Sequence, residues 1–186
     1  LPGNKIKYSN ALKLAKGIKL DKGIRYNCIV AGNFIFGDFI EAFIVNNNAK
    51  CKRLTISTLS LDQNNVDSLF NLISGQFVDE LNLSLSDYFD AHERKSLIPY
   101  IYDKLDIDNR FQLASAGSHT KIAMFETLGG KKVVIHGSAN LRSSSNIEQF
   151  VIEENTELYD FWMEYHMNII QEYKTINKEV KRNKSL

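Results

Sequence analysis

The chain is poor in several features that mark whole protein classes. It holds only two cysteines in 186 residues, Cys28 and Cys51, each inside an apolar strand-like run. No Cys-x-x-Cys or Cys/His cluster accompanies them, which removes zinc modules and disulfide scaffolds from consideration. Buried free thiols in a reducing compartment, hence a cytoplasmic location, are the expectation. No apolar run approaches the roughly 20 residues that a membrane helix needs, so no membrane partner is expected. Lysines interrupt every apolar stretch near the start, so the pattern of a secretory leader is missing there. The first residues, Leu1-Pro2-Gly3, lack an initiator methionine, which fits a trimmed start. There is no repeat, low-complexity segment or linker, and one domain over 1–186 is expected.

Net charge is nearly absent as well, at +1, but its distribution is uneven. Residues 1–25 carry seven Lys/Arg against Asp21 alone, and residues 171–186 carry five against Glu172 and Glu179. The 145 residues between them hold nineteen acidic side chains against eleven basic ones. Basic ends on an acidic body point to an anionic partner such as nucleic acid, although solvated helix faces explain the same pattern.

What is present is ordinary soluble composition, 44% hydrophobic, 11% aromatic and 24% charged, and a clear alternation of elements. Residues 8–20 read as a helix capped by Ser9 or Asn10, with Lys13, Lys16, Lys19 and Lys22 recurring opposite an apolar stripe. A strand at 24–31, a Phe-rich helix at 36–45, a strand at 52–60, an Asp62-capped helix ended by Gly75 and a strand at 78–85 follow. Residues 87–105 read as a helix that Pro99 kinks or divides. From 111 onward the pattern becomes β, at 111–115, 119–127, 132–136 and 147–153, with 128-LGGK-131 as a hairpin turn. A helix at 155–182 closes the chain, with Leu158, Phe161, Trp162, Tyr165, Ile169 and Tyr173 as its apolar side. The fold class implied is α/β, a mixed sheet with helices on both faces.

The chemistry concentrates in 117–150. If 119–127 is a strand, His119 and Lys121 share a face, and Ser138 and Asn140 share one farther along. Gly137 lets the backbone approach a ligand there, and a hairpin from 119 to 136 brings the two pairs together. An imidazole, an ammonium, a hydroxyl and a carboxamide at one spot suit phosphoryl transfer. A neutral histidine attacks phosphorus or moves a proton, and cationic and neutral donors hold the equatorial oxygens. A carboxylate behind the imidazole fixes its tautomer. Glu126 and Glu148 are the candidates, and Glu148 is favoured because Glu126 has the wrong strand parity. Arg142 is placed to touch a flanking phosphate. Of the other histidines, His92 and His166 read as structural or exposed, and His136 as a satisfied strand histidine that can line the site.

His119-x-Lys121-x4-Glu126, then Gly137-Ser138-x-Asn140 and Asn146-x-Glu148, resembles the phospholipase D superfamily, whose signature is H-x-K-x4-D followed by G-S-x-N. Glu126 stands where that family usually has Asp, keeping the charge and lengthening the arm. The resemblance implies a phospholipase D-like fold. It also implies a metal-independent and cofactor-free phosphodiesterase working through a phosphohistidine. In that family one histidine attacks and a second protonates the leaving oxygen. This chain has a single His-x-Lys, which implies a two-fold homodimer that completes the site. Compact single-motif members are similar to endonucleases on DNA or RNA. A nucleic-acid-binding module of weak or no turnover is the alternative, and a phospholipid phosphodiesterase the third reading.

Overall fold

The computed structural model describes residues 4–8, 10–31, 34–142 and 145–179, the first five by backbone alone. Ser9, Lys181, Arg182 and Lys184 lie outside the described residues. Eight strands form one sheet in the order β1-β2-β8-β7-β6-β3-β4-β5. They are β1 (Asn4–Tyr8), β2 (Arg25–Val30), β3 (Cys51–Thr58), β4 (Val78–Ser86), β5 (Phe111–Ala116), β6 (Ile122–Thr127), β7 (Lys132–Gly137) and β8 (Glu148–Glu154). The helices are α1 (Ala11–Gly17), α2 (Phe36–Asn46), α3 (Gln63–Ser74), α4 (Asp87–Glu93), α5 (Leu97–Leu105) and α6 (Thr156–Tyr173).

The sheet is mixed. β3, β4 and β5 run parallel, while β6, β7 and β8 alternate with them and with β2. One apolar core joins α1, α2, α3 and α5 to one face, and a smaller one sets Ile122, Met124 and Val134 against Tyr159, Leu158, Trp162 and Met163 of α6. Helices therefore cover both faces, because strands such as β3 and β4 are apolar toward one helix layer and only weakly polar toward the other.

The larger core is built around phenylalanine. Phe36, Phe39 and Phe43 recur along one side of α2 and meet Phe150 of β8 at 5.1 Å and 5.2 Å, and Phe125 of β6 at 6.2 Å, between ring centroids. Asn65, fully buried on α3, accepts from the Gly37 N–H at 2.6 Å and donates to Asp62 at 2.7 Å. A Cβ on Gly37 would fall 2.8 Å from that carboxamide, so glycine is required. Cys28 and Cys51 are buried free thiols, pushed up to about 12 by burial.

Several expectations are corrected. α1 is shorter than 8–20: Tyr8 belongs to β1, a strand the sequence reading missed, and Asn10 caps the helix by accepting from the Lys13 N–H at 3.0 Å. The 87–105 segment breaks at 94–96, and Pro99 sits in the first turn of α5, where its missing N–H costs no helical bond. α6 ends at Tyr173 and buries Tyr159, His166 and Ile170. Phe161, Tyr165 and Tyr173 face solvent, because the sheet surface beneath the helix sets its rotation. The 119–127 strand begins only at Ile122.

Candidate active site

The three parallel strands end, at Thr58, Ser86 and Ala116, on the same edge of the sheet where β6 begins and β7 ends. The registers Ser57↔Ile122, Ile122↔His136 and Gly137↔Phe150 fix this, and Val30↔Glu148 extends the edge to β2. Carboxyl ends of parallel strands are where open α/β sheets offer ligand sites. His119, Lys121, Ser138, Asn140, Arg142 and Glu148 all lie along this edge.

His119 and Lys121 occupy a connection outside β6, so strand parity does not orient them as expected. The segment is pinned by its middle residue instead. Thr120 Oγ1 lies 2.6 Å from Ser57 Oγ and 3.0 Å from Ser118 Oγ, and the Thr120 N–H donates to Ser118 Oγ at 3.3 Å. With Thr120 anchored, His119 remains exposed and Lys121 half-buried. The Lys121 ammonium sits 3.5 Å from the His119 carbonyl oxygen. Ser57 and Ser118 are contributors that sequence reasoning missed. Ser57 lies 63 residues from its partner Thr120, and no local motif links them.

Ser138 donates from its hydroxyl to the Glu148 carboxylate and accepts from the Gln149 N–H at 3.0 Å, while its own N–H bonds Gln149 O at 2.8 Å. Ser138 and Glu148 are thus joined across the start of β8. Among the described residues no hydrogen bond links Glu148 to His119. Asn140 Oδ1 accepts from the Leu59 N–H at 3.2 Å and from Thr58 Oγ1 at 3.3 Å. That fixes the carboxamide with its NH₂ as the remaining donor. Thr58, 2% exposed, also receives the Leu141 N–H at 3.1 Å and is a third contributor missed. Asn140, Arg142, Glu148, Phe34 and Phe36 line one narrow crevice.

One assignment fails on geometry. Glu126 sits at the far end of β6, paired in register with Arg53 and Lys132, four residues or roughly 13 Å along the strand from Ile122. There, behind the effect of burial, its carboxylate helps push the Tyr159 phenol up to about 12. Gly137 is required by the sheet itself, since a Cβ there would lie 2.2 Å from Gln149 O and 2.6 Å from the Phe150 Cα. His136 is tied to Glu153 at 3.1 Å, with Arg25 3.8 Å from the same carboxylate. His166, 1% exposed, meets the Trp162 carbonyl at 2.7 Å.

No family model matches this sequence, and no curated protein matches it. Solved structures do. Nuc from Salmonella typhimurium, described as a phospholipase D family member, superposes with a TM-score of 0.57 at 14% identity, covering 80% of this chain and 96% of its own.

The chain has a phospholipase D-like fold.

NucT from Helicobacter pylori matches similarly, with a TM-score of 0.54 at 13% identity over 79% of this chain and 96% of that one. The phosphatidylserine synthase of Haemophilus influenzae Rd KW20 gives 0.58 at 11% identity over 89% of this chain. The chain spans only 43% of that synthase. Within the phospholipase D-like fold, the edge described above carries every motif position except Glu126.

Proposed function

We propose that this chain is a metal-independent phosphodiesterase acting on nucleic acid, with a site completed by a second copy. The observation that carries the reading is the convergence of the His119–Lys121 segment, Ser138, Asn140 and Glu148 on one sheet edge of a phospholipase D-like fold. His119, exposed to solvent, attacks the diester phosphorus. A bond forms between ring nitrogen and phosphorus, the bond to the leaving oxygen breaks, and that oxygen takes a proton from the His119 of the second copy. Water, deprotonated by that second imidazole, then releases the phosphate and restores the free ring. The Lys121 ammonium and the Asn140 NH₂ donate to the equatorial oxygens. Ser138 and Glu148 position this end of the sheet. No step asks for a metal ion.

Nucleic acid is favoured as substrate by the basic N-terminal segment. β1 is parallel to β2 and ends at the same edge as the site, so Lys13 follows closely on that edge and Lys16, Lys19 and Lys22 lead away from it, all exposed. Lys174 and Lys178 lie beside β5, at the other end of the strand order, among the acidic Glu80 and Glu179. Phosphate contacts of this kind dominate nucleic-acid affinity. A second reading, binding without turnover, is favoured by the likeness to TrmBL2 (TM-score 0.51 over 81% of this chain), an archaeal chromatin protein whose structure displays a mode of DNA binding.

The test is incubation with bis-p-nitrophenyl phosphate, plasmid, oligonucleotides and phospholipid vesicles, with and without EDTA, beside light scattering. Cleavage of nucleic acid by a dimer, unaffected by chelator, is expected. Retention without cleavage supports the binding module, vesicle headgroup release supports a lipid substrate, and turnover by a strict monomer removes the shared site.

A further inference from the structure

A second cavity opens beside the site, a cleft of about 470 Å³ between α3, α4 and α5, within the size range of small-molecule pockets. Its walls are Leu61, Phe89, Leu97 and Tyr100, and its rim carries Asp62, Gln63, Glu93, Ser96 and Arg142. The cleft is mechanically joined to the reacting edge. Leu61 bridges to Leu141, and the Asp62 N–H donates to Leu141 O at 3.1 Å, one residue beyond Asn140. Arg142 lines both this cleft and the crevice that holds Asn140 and Glu148. The Tyr100 ring is held in place, since its hydroxyl donates to the Asp67 carboxylate.

The charges divide the space. Arg142 is the one cation among the described lining residues and stands at the boundary with the crevice. Polar and apolar lining are nearly balanced, with Phe89 and Tyr100 offering aromatic rings and Asp62 and Glu93 repelling phosphate and other anions. A ligand that suits this division has an anionic group at Arg142 and a neutral, flat group with polar edges in the cleft. An acyl chain would meet a polar rim, and a paired base would be held in its stack outside.

From this division we infer that the cleft is a subsite for one unpaired nucleobase, stacked against Phe89 or Tyr100, next to the diester bound at Asn140. It rests on the phosphodiesterase reading only for the neighbouring phosphate, and it assigns single-stranded nucleic acid as the substrate class. Stacking of a base on an aromatic side chain supports a gain in affinity of about fivefold to a hundredfold.

Anisotropy of a fluorescent deoxycytidine octamer tests it against two controls, an abasic phosphodiester octamer and a blunt duplex. Wild type binds the base-bearing single strand about tenfold more tightly than either control. Leu97→Trp, which fills the cleft, and Ser96→Trp, at an exposed rim position, abolish that preference. Both variants keep the abasic affinity and the turnover of bis-p-nitrophenyl phosphate, which also reports an intact fold. Equal binding of octamer and abasic strand by wild type overturns the subsite, as does an equal gain for duplex or a preference that survives both tryptophans. Displacement of the octamer by anionic phospholipid vesicles from wild type but from neither variant assigns the cleft to a lipid headgroup and overturns it too. Absent turnover with the preference intact and removed by the variants leaves the subsite standing and refutes the enzyme.

Discussion

The Ser138 hydroxyl donates to the Glu148 carboxylate, joining the end of β7 to the start of β8 across ten residues of chain. Ser138 also takes the Gln149 N–H at 3.0 Å, so one side chain fixes the carboxylate and closes the ladder beside it. Ser138→Ala leaves Glu148 without this donor. A loss of about tenfold in turnover is expected, since a hydrogen bond to a charged group is worth about 1.5–3 kcal/mol, with Ser138→Thr recovering part of it. Equal activity of the alanine variant on bis-p-nitrophenyl phosphate would detach this pair from the chemistry.

His119 is exposed and Lys121 half-buried, and both lie outside the strands. Their alanine variants should lose at least about a thousandfold in turnover, within the range for groups that transfer protons or attack the substrate. Substitutions at exposed positions usually move stability by no more than about 0.5 kcal/mol, so the thermal midpoint of His119→Ala should stay level. Residual turnover within tenfold of wild type in His119→Ala would exclude a phosphohistidine.

Glu126 faces the opposite end of the sheet, beside Arg53 and Lys132. Glu126→Gln is expected to keep turnover within about twofold, because this carboxylate lies roughly 13 Å of strand away from the start of β6, where the site edge is. A collapse of activity with an unchanged melting curve would bring this carboxylate back into the site.

Phe39 is fully buried between Phe36, Phe43 and Phe150. Phe39→Ala should cost about 3–5 kcal/mol in urea unfolding. A cost under about 1 kcal/mol would mean that the aromatic cluster does not hold α2 to the sheet.

Burial holds the His166 imidazole below its ordinary value, against the pull of the Trp162 carbonyl. The Nδ1–H donates to that carbonyl at 2.7 Å, and the buried Nε2 has no hydrogen-bond partner among the described residues. The unfolded chain therefore binds a proton more readily than the folded one. Stability from this group is full above the unfolded value near 6.5 and falls as pH drops below it, until the folded value is passed. Melting from pH 7.5 to 5 should show a decline that is shallower in His166→Gln. Parallel curves would remove His166 as its source.

By itself the sequence determined the parts whose signals are local. The Asp62 cap, the Gly129-Gly130 turn with Gly130 at φ 85°, the Phe stripe of α2 and the spacing of His119, Lys121, Ser138 and Asn140 each act over a few residues. The resemblance to the phospholipase D superfamily followed from that spacing. Tertiary structure decided the rest. Glu126 is kept from His119 by the extended run of β6, which carries it to the opposite end of the sheet, and the His119–Lys121 segment is anchored through Thr120 to Ser57, 63 residues away. Whether Phe161 or Tyr159 was buried depended on the sheet beneath α6. Gly137 answered to the close approach of β8, which the one-dimensional pattern does not encode. Periodicity and capping are written in neighbouring residues, whereas register and convergence are set by contacts between strands distant in the chain.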